Sequence, residues 1–181
     1  MKTRIPDSKN IVLIGFMGSG KSVVGKKIAK VLNIGFYDLD HWIEQKARSP
    51  IHVIFKSKGE KYFRKIERQG VRVLTKKKSV VLATGGGAWA DPENRRRLRR
   101  WGKVVWLRVK FNTVWKRVVK KRTQRPLVGI SKKPTPEFKN LFSSREKLYS
   151  MADIMIRTDE RTPAQSCKLL LKKLLMKNSS Q

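Results

Sequence analysis

Ile11 to Ser22 reads IVLIGFMGSGKS, and the rest of the chain is arranged about this stretch. Ile11 to Ile14 is an uncharged apolar run, the pattern of a parallel strand buried on both faces. Gly15, Gly20, Lys21 and Ser22 then meet the phosphate-loop spacing G-x-x-x-x-G-K-[ST]. Glycines such as Gly15, Gly18 and Gly20 let the backbone turn tightly and aim its N–H groups, including that of Ser19, inward. Those groups and the N-terminus of the next helix form a nest for phosphate oxygens. Lys21 can reach β- and γ-phosphates, and the Ser22 hydroxyl can sit on Mg²⁺. Val23, Val24, Ile28, Val31 and Leu32 recur at helical spacing after the loop, with Lys26, Lys27 and Lys30 on the polar face.

The 181 residues suit one α/β domain that buries its core without cross-links. Cys167 is the sole cysteine, so no disulfide framework exists; it reads as a helix residue in a protein of a reducing cytoplasm. The opening MKTRIPDSKN lacks the apolar centre of a signal peptide, and no apolar run is as long as a membrane span. The charge stands out. The net formal charge is +31, and Asn94 to Pro136 holds no acidic residue while carrying Arg95-Arg96-Arg97, Arg99-Arg100 and Lys120-Lys121-Arg122. Such a surface is either a set of solvated helix faces or a polyanion-binding face. No DNA- or RNA-binding motif accompanies it.

Gly35 to Asp38 reads as a second strand, with Asp38-Leu39-Asp40 at the change to helix. Period-two alternation would turn Asp38 and Asp40 into one cleft, where one supports hydrated Mg²⁺ and the other takes a hydroxyl proton. Either aspartate can instead cap the helix through Trp42, Ile43 and Lys46. Pro50 opens a helical region that Gly59 interrupts and that resumes through Tyr62, Phe63, Ile66 and Leu74. Arg64 and Glu67 lie one turn apart, as a surface ion pair or as an anchored carboxylate-binding fork. Ser79 to Thr84 is a buried strand running into Gly85-Gly86-Gly87, which implies close backbone approach to something. Asp91-Pro92 opens a helix that ends near Trp101-Gly102. Lys103 to Val109 reads as an alternating fourth strand, and Asn112 to Arg122 as a helix. A basic lid spans about 123–136 and carries Arg125, which can swing over a phosphate. Pro136 to Tyr149 is helical, Ala152 to Arg157 a fifth strand, and Thr162-Pro163 starts the last helix. This alternation predicts a parallel sheet with helices on both faces.

The chain resembles the shikimate kinase family over nearly its whole length. The resemblance rests on GFMGSGKS (Gly15 to Ser22), DLD (Asp38 to Asp40), FRKIE (Phe63 to Glu67), TGGG (Thr84 to Gly87), RPL (Arg125 to Leu127) and REKLY (Arg145 to Tyr149), in that order. Val128 stands where the family often has leucine after RPL. The resemblance implies a monomeric single-domain P-loop kinase, with a five-stranded parallel sheet, that uses ATP and Mg²⁺ to phosphorylate the 3-hydroxyl of shikimate. By the same resemblance Asp40 binds the ring hydroxyls and orients or deprotonates the attacking one, and Arg64 and Arg145 grip the carboxylate. Gly85, Gly86 and Gly87 help hold the ring, and Phe55 and Phe63 line its pocket. Asp38 and Ser22 serve the metal; Lys21 and Arg125 stabilise charge on the transferring phosphoryl. Arg117 and the Arg161-Thr162-Pro163 turn flank adenine.

The residues alone leave other readings open: a kinase for another hydroxylated acid such as gluconate, a nucleoside monophosphate kinase, or a nucleic-acid-stimulated ATPase that uses the basic face. Self-repulsion at +31 makes stability depend on salt. The melting temperature at constant pH is expected to rise as salt is added; a flat response would refute this.

Overall fold

The structure, a computed structural model, describes residues 10–119 and 133–176. Arg125 and most of the expected lid lie outside the described residues. So does the end of the helix expected over Asn112 to Arg122, which is described as Phe111–Val119.

Five strands, β1 (Ile11–Ile14), β2 (Gly35–Asp38), β3 (Val80–Ala83), β4 (Lys103–Arg108) and β5 (Ile154–Arg157), form one sheet in the order β2-β3-β1-β4-β5. Every pairing is parallel. β1 is central, with Leu13 beside Ala83 and Val105, so the loop that follows it leaves from the middle of the sheet's carboxyl edge. The helices are α1 (Lys21–Leu32), α2 (Leu39–Ala47), α3 (Ile51–Leu74), α4 (Pro92–Trp101), α5 (Phe111–Val119), α6 (Pro136–Tyr149) and α7 (Pro163–Met176). None of them is long and apolar enough to cross a membrane.

The two faces of the sheet are visible in β1 itself. Ile11 and Leu13 pack with Val24, Ile28 and Leu170 under α1 and α7, while Val12 and Ile14 join Leu39, Ile43, Leu98 and Tyr149 on the other side. Cys167 is buried in α7, as its helical setting suggests. β4 departs from the alternation read in its sequence. Val104, Val105, Trp106 and Leu107 are all buried, because a central parallel strand has a helical layer over each face. β5 starts at Ile154 rather than Ala152: Ala152 N–H is taken by Tyr149 O as α6 closes, and the Asp153 carboxylate accepts from Val104 N–H at 2.8 Å.

Two local features position the site and anchor the sheet beneath it. α3 contains a non-helical Gly59 (φ 73°, ψ 175°), a left-handed turn that costs glycine little. It separates the segment carrying Phe55 from the one carrying Phe63 and Arg64. At the opposite end of the sheet, Asn10 ties three segments together. Its amide donates to Trp101 O at 3.2 Å and its side-chain oxygen accepts from Val80 N–H at 3.2 Å. Its own carbonyl accepts from Lys103 N–H at 3.0 Å. Gly102 passes so close that a Cβ there would lie 2.7 Å from Asn10 O. The nearest atoms are the backbone and Cβ of Asn10, none of them the far end of a flexible side chain that could move aside. Gly102→Ala is therefore expected to cost about 1–3 kcal/mol of unfolding free energy, the range for overpacking a filled site. Urea denaturation reads this directly, and an unchanged midpoint would refute it.

Candidate functional site

The phosphate loop closes on its own backbone. Gly15, Gly18 and Gly20 have φ of 145°, 78° and 90°, conformations disfavoured for a residue with a Cβ. Ser19 N–H donates to Phe16 O at 3.1 Å, and Ser19 is buried. Lys21 Nζ lies over the loop and donates to Gly15 O (2.8 Å) and Phe16 O (3.1 Å). The Thr158 hydroxyl, just beyond β5, donates to Ser19 O at 3.3 Å. From α5, Arg117 Nη1 donates to Gly18 O at 2.9 Å, which puts this guanidinium at the loop's edge. Arg161 is exposed and donates to Arg157 O at 3.0 Å. Thr162 and Gln165 cap α7 reciprocally, and Pro163 takes its first position.

The two aspartates meet for a different reason from the expected alternation. Only Asp38 is extended; Asp40 already lies in the first turn of α2. Asp38 is the N-cap, its Oδ1 accepting from Asp40 N–H at 3.1 Å, while its Oδ2 accepts from the Ser22 hydroxyl at 2.5 Å. One carboxylate thus caps the helix and meets the loop serine. A serine hydroxyl beside a carboxylate is a hard-oxygen pair that fits Mg²⁺, which keeps several waters and takes its other ligands from phosphates. The described residues include no cluster of three or more His, Cys, Asp or Glu suited to an all-protein cage.

Next to this pair is the glycine run after β3. A Cβ on Gly85 would strike Asp40 Oδ1, and one on Gly87 would lie 2.5 Å from Arg64 Nη1. The close approach implied by three glycines is therefore to these two side chains. Gly86 is held from the other side by Tyr149, whose hydroxyl donates to Gly86 O at 2.6 Å. Arg64 is gripped twice: Nη1 donates to Glu67 Oε2 at 2.8 Å, and Nη2 to Glu60 Oε1 at 3.0 Å. Glu67 is buried, so the arginine is the anchored fork rather than a mobile surface pair. Phe63 packs on Phe55 with centroids 4.5 Å apart, and the Arg64 guanidinium lies over the Phe63 ring.

Arg145 comes from α6, one turn before Tyr149. It is half-buried, makes no ion pair among the described residues, and lies near enough to act on the charge of Glu67. Phe16 fixes α6 against the phosphate loop through edge contacts with Phe138 (5.6 Å) and Phe142 (5.2 Å). Glu60 and Thr158 belong to the site without standing out in the sequence, and Tyr149, the last residue of the REKLY stretch, joins it in a role that the motif does not disclose. The helical offset from Glu60 to Arg64 is a signal that could have found the first; the other two act across long sequence separations.

Burial pushes the Asp40 carboxyl up to about 6; Asp38 and Glu67 add to the rise, and Lys21 opposes it. Burial likewise raises Glu67, against the pull of Arg64. A carboxylate near 6 is ionised at neutral pH yet basic enough to take a proton. The same environment ties stability to pH. A carboxyl at 3.8 when unfolded and about 6 when folded favours the folded state while protonated, and that contribution is lost as pH rises through 6. Asp40→Asn carries no such charge. Relative to the parent, it is expected to gain up to about 3 kcal/mol of stability between pH 4 and pH 8, since each tenfold change in proton affinity is worth about 1.4 kcal/mol. Urea unfolding of both proteins across that range tests this; a pH-independent difference would refute it.

The assembled geometry agrees with the comparisons to known proteins. The family model described as Shikimate kinase matches residues 17–175. A shikimate kinase of Sulfurihydrogenibium sp. (strain YO3AOP1) is 43% identical over 166 residues, covering 92% of this chain and 98% of the relative. The crystal structure of shikimate kinase from Aquifex aeolicus superposes with a TM-score of 0.83 at 40% identity, covering 94% of this chain and 98% of that one. Shikimate kinase from Acinetobacter baumannii, in complex with shikimate, gives 0.87 at 35% identity over 93% of each chain. With its central phosphate loop, its parallel five-stranded sheet and these matches along most of its length, the chain belongs to the shikimate kinase family.

Proposed function

We propose that the protein transfers the γ-phosphoryl group of ATP to the 3-hydroxyl of shikimate, as a monomer in the cytoplasm. One observation carries this reading: Asp40 and the doubly held Arg64 converge on the Gly85–Gly87 backbone beside the phosphate loop. A small polyol carboxylate asks for a guanidinium fork on its acid and a carboxylate on its hydroxyls.

Arg64 and Arg145 take the substrate carboxylate, and the Phe55–Phe63 pair forms the apolar wall of the pocket. The Gly86 and Gly87 backbone, steadied by Tyr149, supports the ring. Asp40 accepts the proton of the attacking hydroxyl as its oxygen bonds to the γ-phosphorus and ADP departs. The loop amides and Lys21 meet the charge that spreads over the transferring group, and Arg125 adds to it. Arg117 and the Arg161–Pro163 turn flank the adenine. Ser22 and Asp38 are the residues that would hold Mg²⁺, which would supply charge neutralisation on the phosphates. Phosphoryl transfer needs positioning and electrostatics more than covalent help, and these side chains provide both.

A coupled assay of ADP release with Mg·ATP tests the reading against shikimate, gluconate, a nucleoside monophosphate and RNA. Stimulation by shikimate alone is expected. Arg64→Ala should raise the KM for shikimate by about 10- to 100-fold, as expected for one lost charge-assisted contact, and leave the KM for ATP unchanged. Stimulation by gluconate or RNA alone, or an unchanged KM for shikimate, would overturn the assignment.

A further inference from the structure

α4 has the sequence PENRRRLRRW and carries far more charge than the fold uses. Asp91 caps its N-terminus and pairs with Arg68, and Glu93 pairs with Arg72 at 2.6 Å, so both nearby carboxylates are already engaged. Arg95 is spent on Trp89 O at 3.1 Å. Arg96, Arg97, Arg99 and Arg100 are exposed and make no side-chain hydrogen bond or ion pair among the described residues. Leu98, the apolar residue in their midst, is fully buried, so the arginines are not interleaved with exposed apolar side chains.

Arg96, Arg97 and Arg100 border a groove of about 440 Å³ that is lined also by Thr75, Glu93 and Trp101. Trp101 Nε1 donates to Lys77 O at 3.0 Å, which draws the Lys76-Lys77-Lys78 turn to the same side. Asn10, at the start of β1, bonds Trp101 O. The groove therefore lies toward the sheet's amino edge, whereas the phosphate loop leaves its carboxyl edge.

We propose that this groove and the exposed face of α4 bind the phosphodiester backbone of nucleic acid, separately from the kinase site. Guanidinium groups without carboxylate partners match phosphate oxygens in charge and fork geometry. Insertion at an anionic membrane surface would call for a stripe of exposed apolar side chains on the same face, whereas Leu98 is buried and Trp101 is half-buried with its indole tied to Lys77 O. Recognition rests on charge and spacing, so it is independent of base sequence.

The test is fluorescence anisotropy with labelled 20-nucleotide RNA and DNA over 50–200 mM salt (about the range in which phosphate contacts dominate affinity). Arg96→Gln/Arg97→Gln/Arg100→Gln is compared with Lys26→Gln/Lys27→Gln/Lys30→Gln on α1, which removes equal charge from exposed positions elsewhere. Cooperative melting of both variants verifies folding without recourse to kinase activity. The α4 variant is expected to lose at least about tenfold in affinity, with a salt slope shallower by about 2, since each single-strand phosphate contact contributes roughly 0.7. The α1 variant should stay within a few-fold of the parent. Equal losses in both variants would reduce the effect to overall charge and overturn the proposal. Failure of either polymer to bind, a strong preference for one polymer, or tighter binding to phosphatidylserine vesicles than to RNA would also overturn it.

Discussion

Gly85 and Gly87 have no room for a side chain: one faces the Asp40 carboxylate and the other the Arg64 guanidinium 2.5 Å from where a Cβ would stand. This close passage lets one short segment of backbone meet side chains from α2, α3 and α6 at once. β3 delivers the segment to the carboxyl edge of the sheet, next to β1 and its loop, with Thr84 N–H bonded to Leu13 O. Tyr149 holds the carbonyl between the two glycines. A larger residue at either glycine would displace the two charged groups that give the pocket its chemistry, so the site depends on missing atoms as much as on those present.

The charges inside this pocket position side chains more than they stabilise the fold. Glu67 is buried against Arg64, and the energy of taking such a pair out of water roughly offsets its mutual attraction. What the pair secures is direction. With Glu67 on one nitrogen and Glu60 on another, the guanidinium cannot swing freely between rotamers. Asp40 is the complementary case, a half-buried carboxyl with no guanidinium partner among the described residues; desolvation first, and the neighbouring Asp38 next, raise its proton affinity.

Much of this is legible in the sequence because it is encoded locally. The phosphate loop has fixed spacing, the Gly59 break falls where helical periodicity lapses, and Arg64 with Glu67 follows from one helical turn. Alternation pairs Asp38 with Asp40 correctly but on mistaken geometry: a strand and a capped helix both bring residues two apart into one region. β4 reads as alternating because its end residues are charged, and only its place inside the sheet shows that both faces are covered. Thr158 carries no local signal, and the REKLY stretch does not disclose the partner of Tyr149, since the two partners lie 139 and 63 residues away along the chain.

Lys21 shapes how the loop meets its anion. Its ammonium already donates to the carbonyls of Gly15 and Phe16, the same turn whose amides face the phosphates. The lysine thus ties carbonyl oxygens of the loop to one cation. On the proposed reading, an arriving triphosphate would compete with these carbonyl oxygens for the cation, and binding would be an exchange of partners. The net gain would then be smaller than a solvent-exposed lysine would give, because the contacts given up offset part of those made.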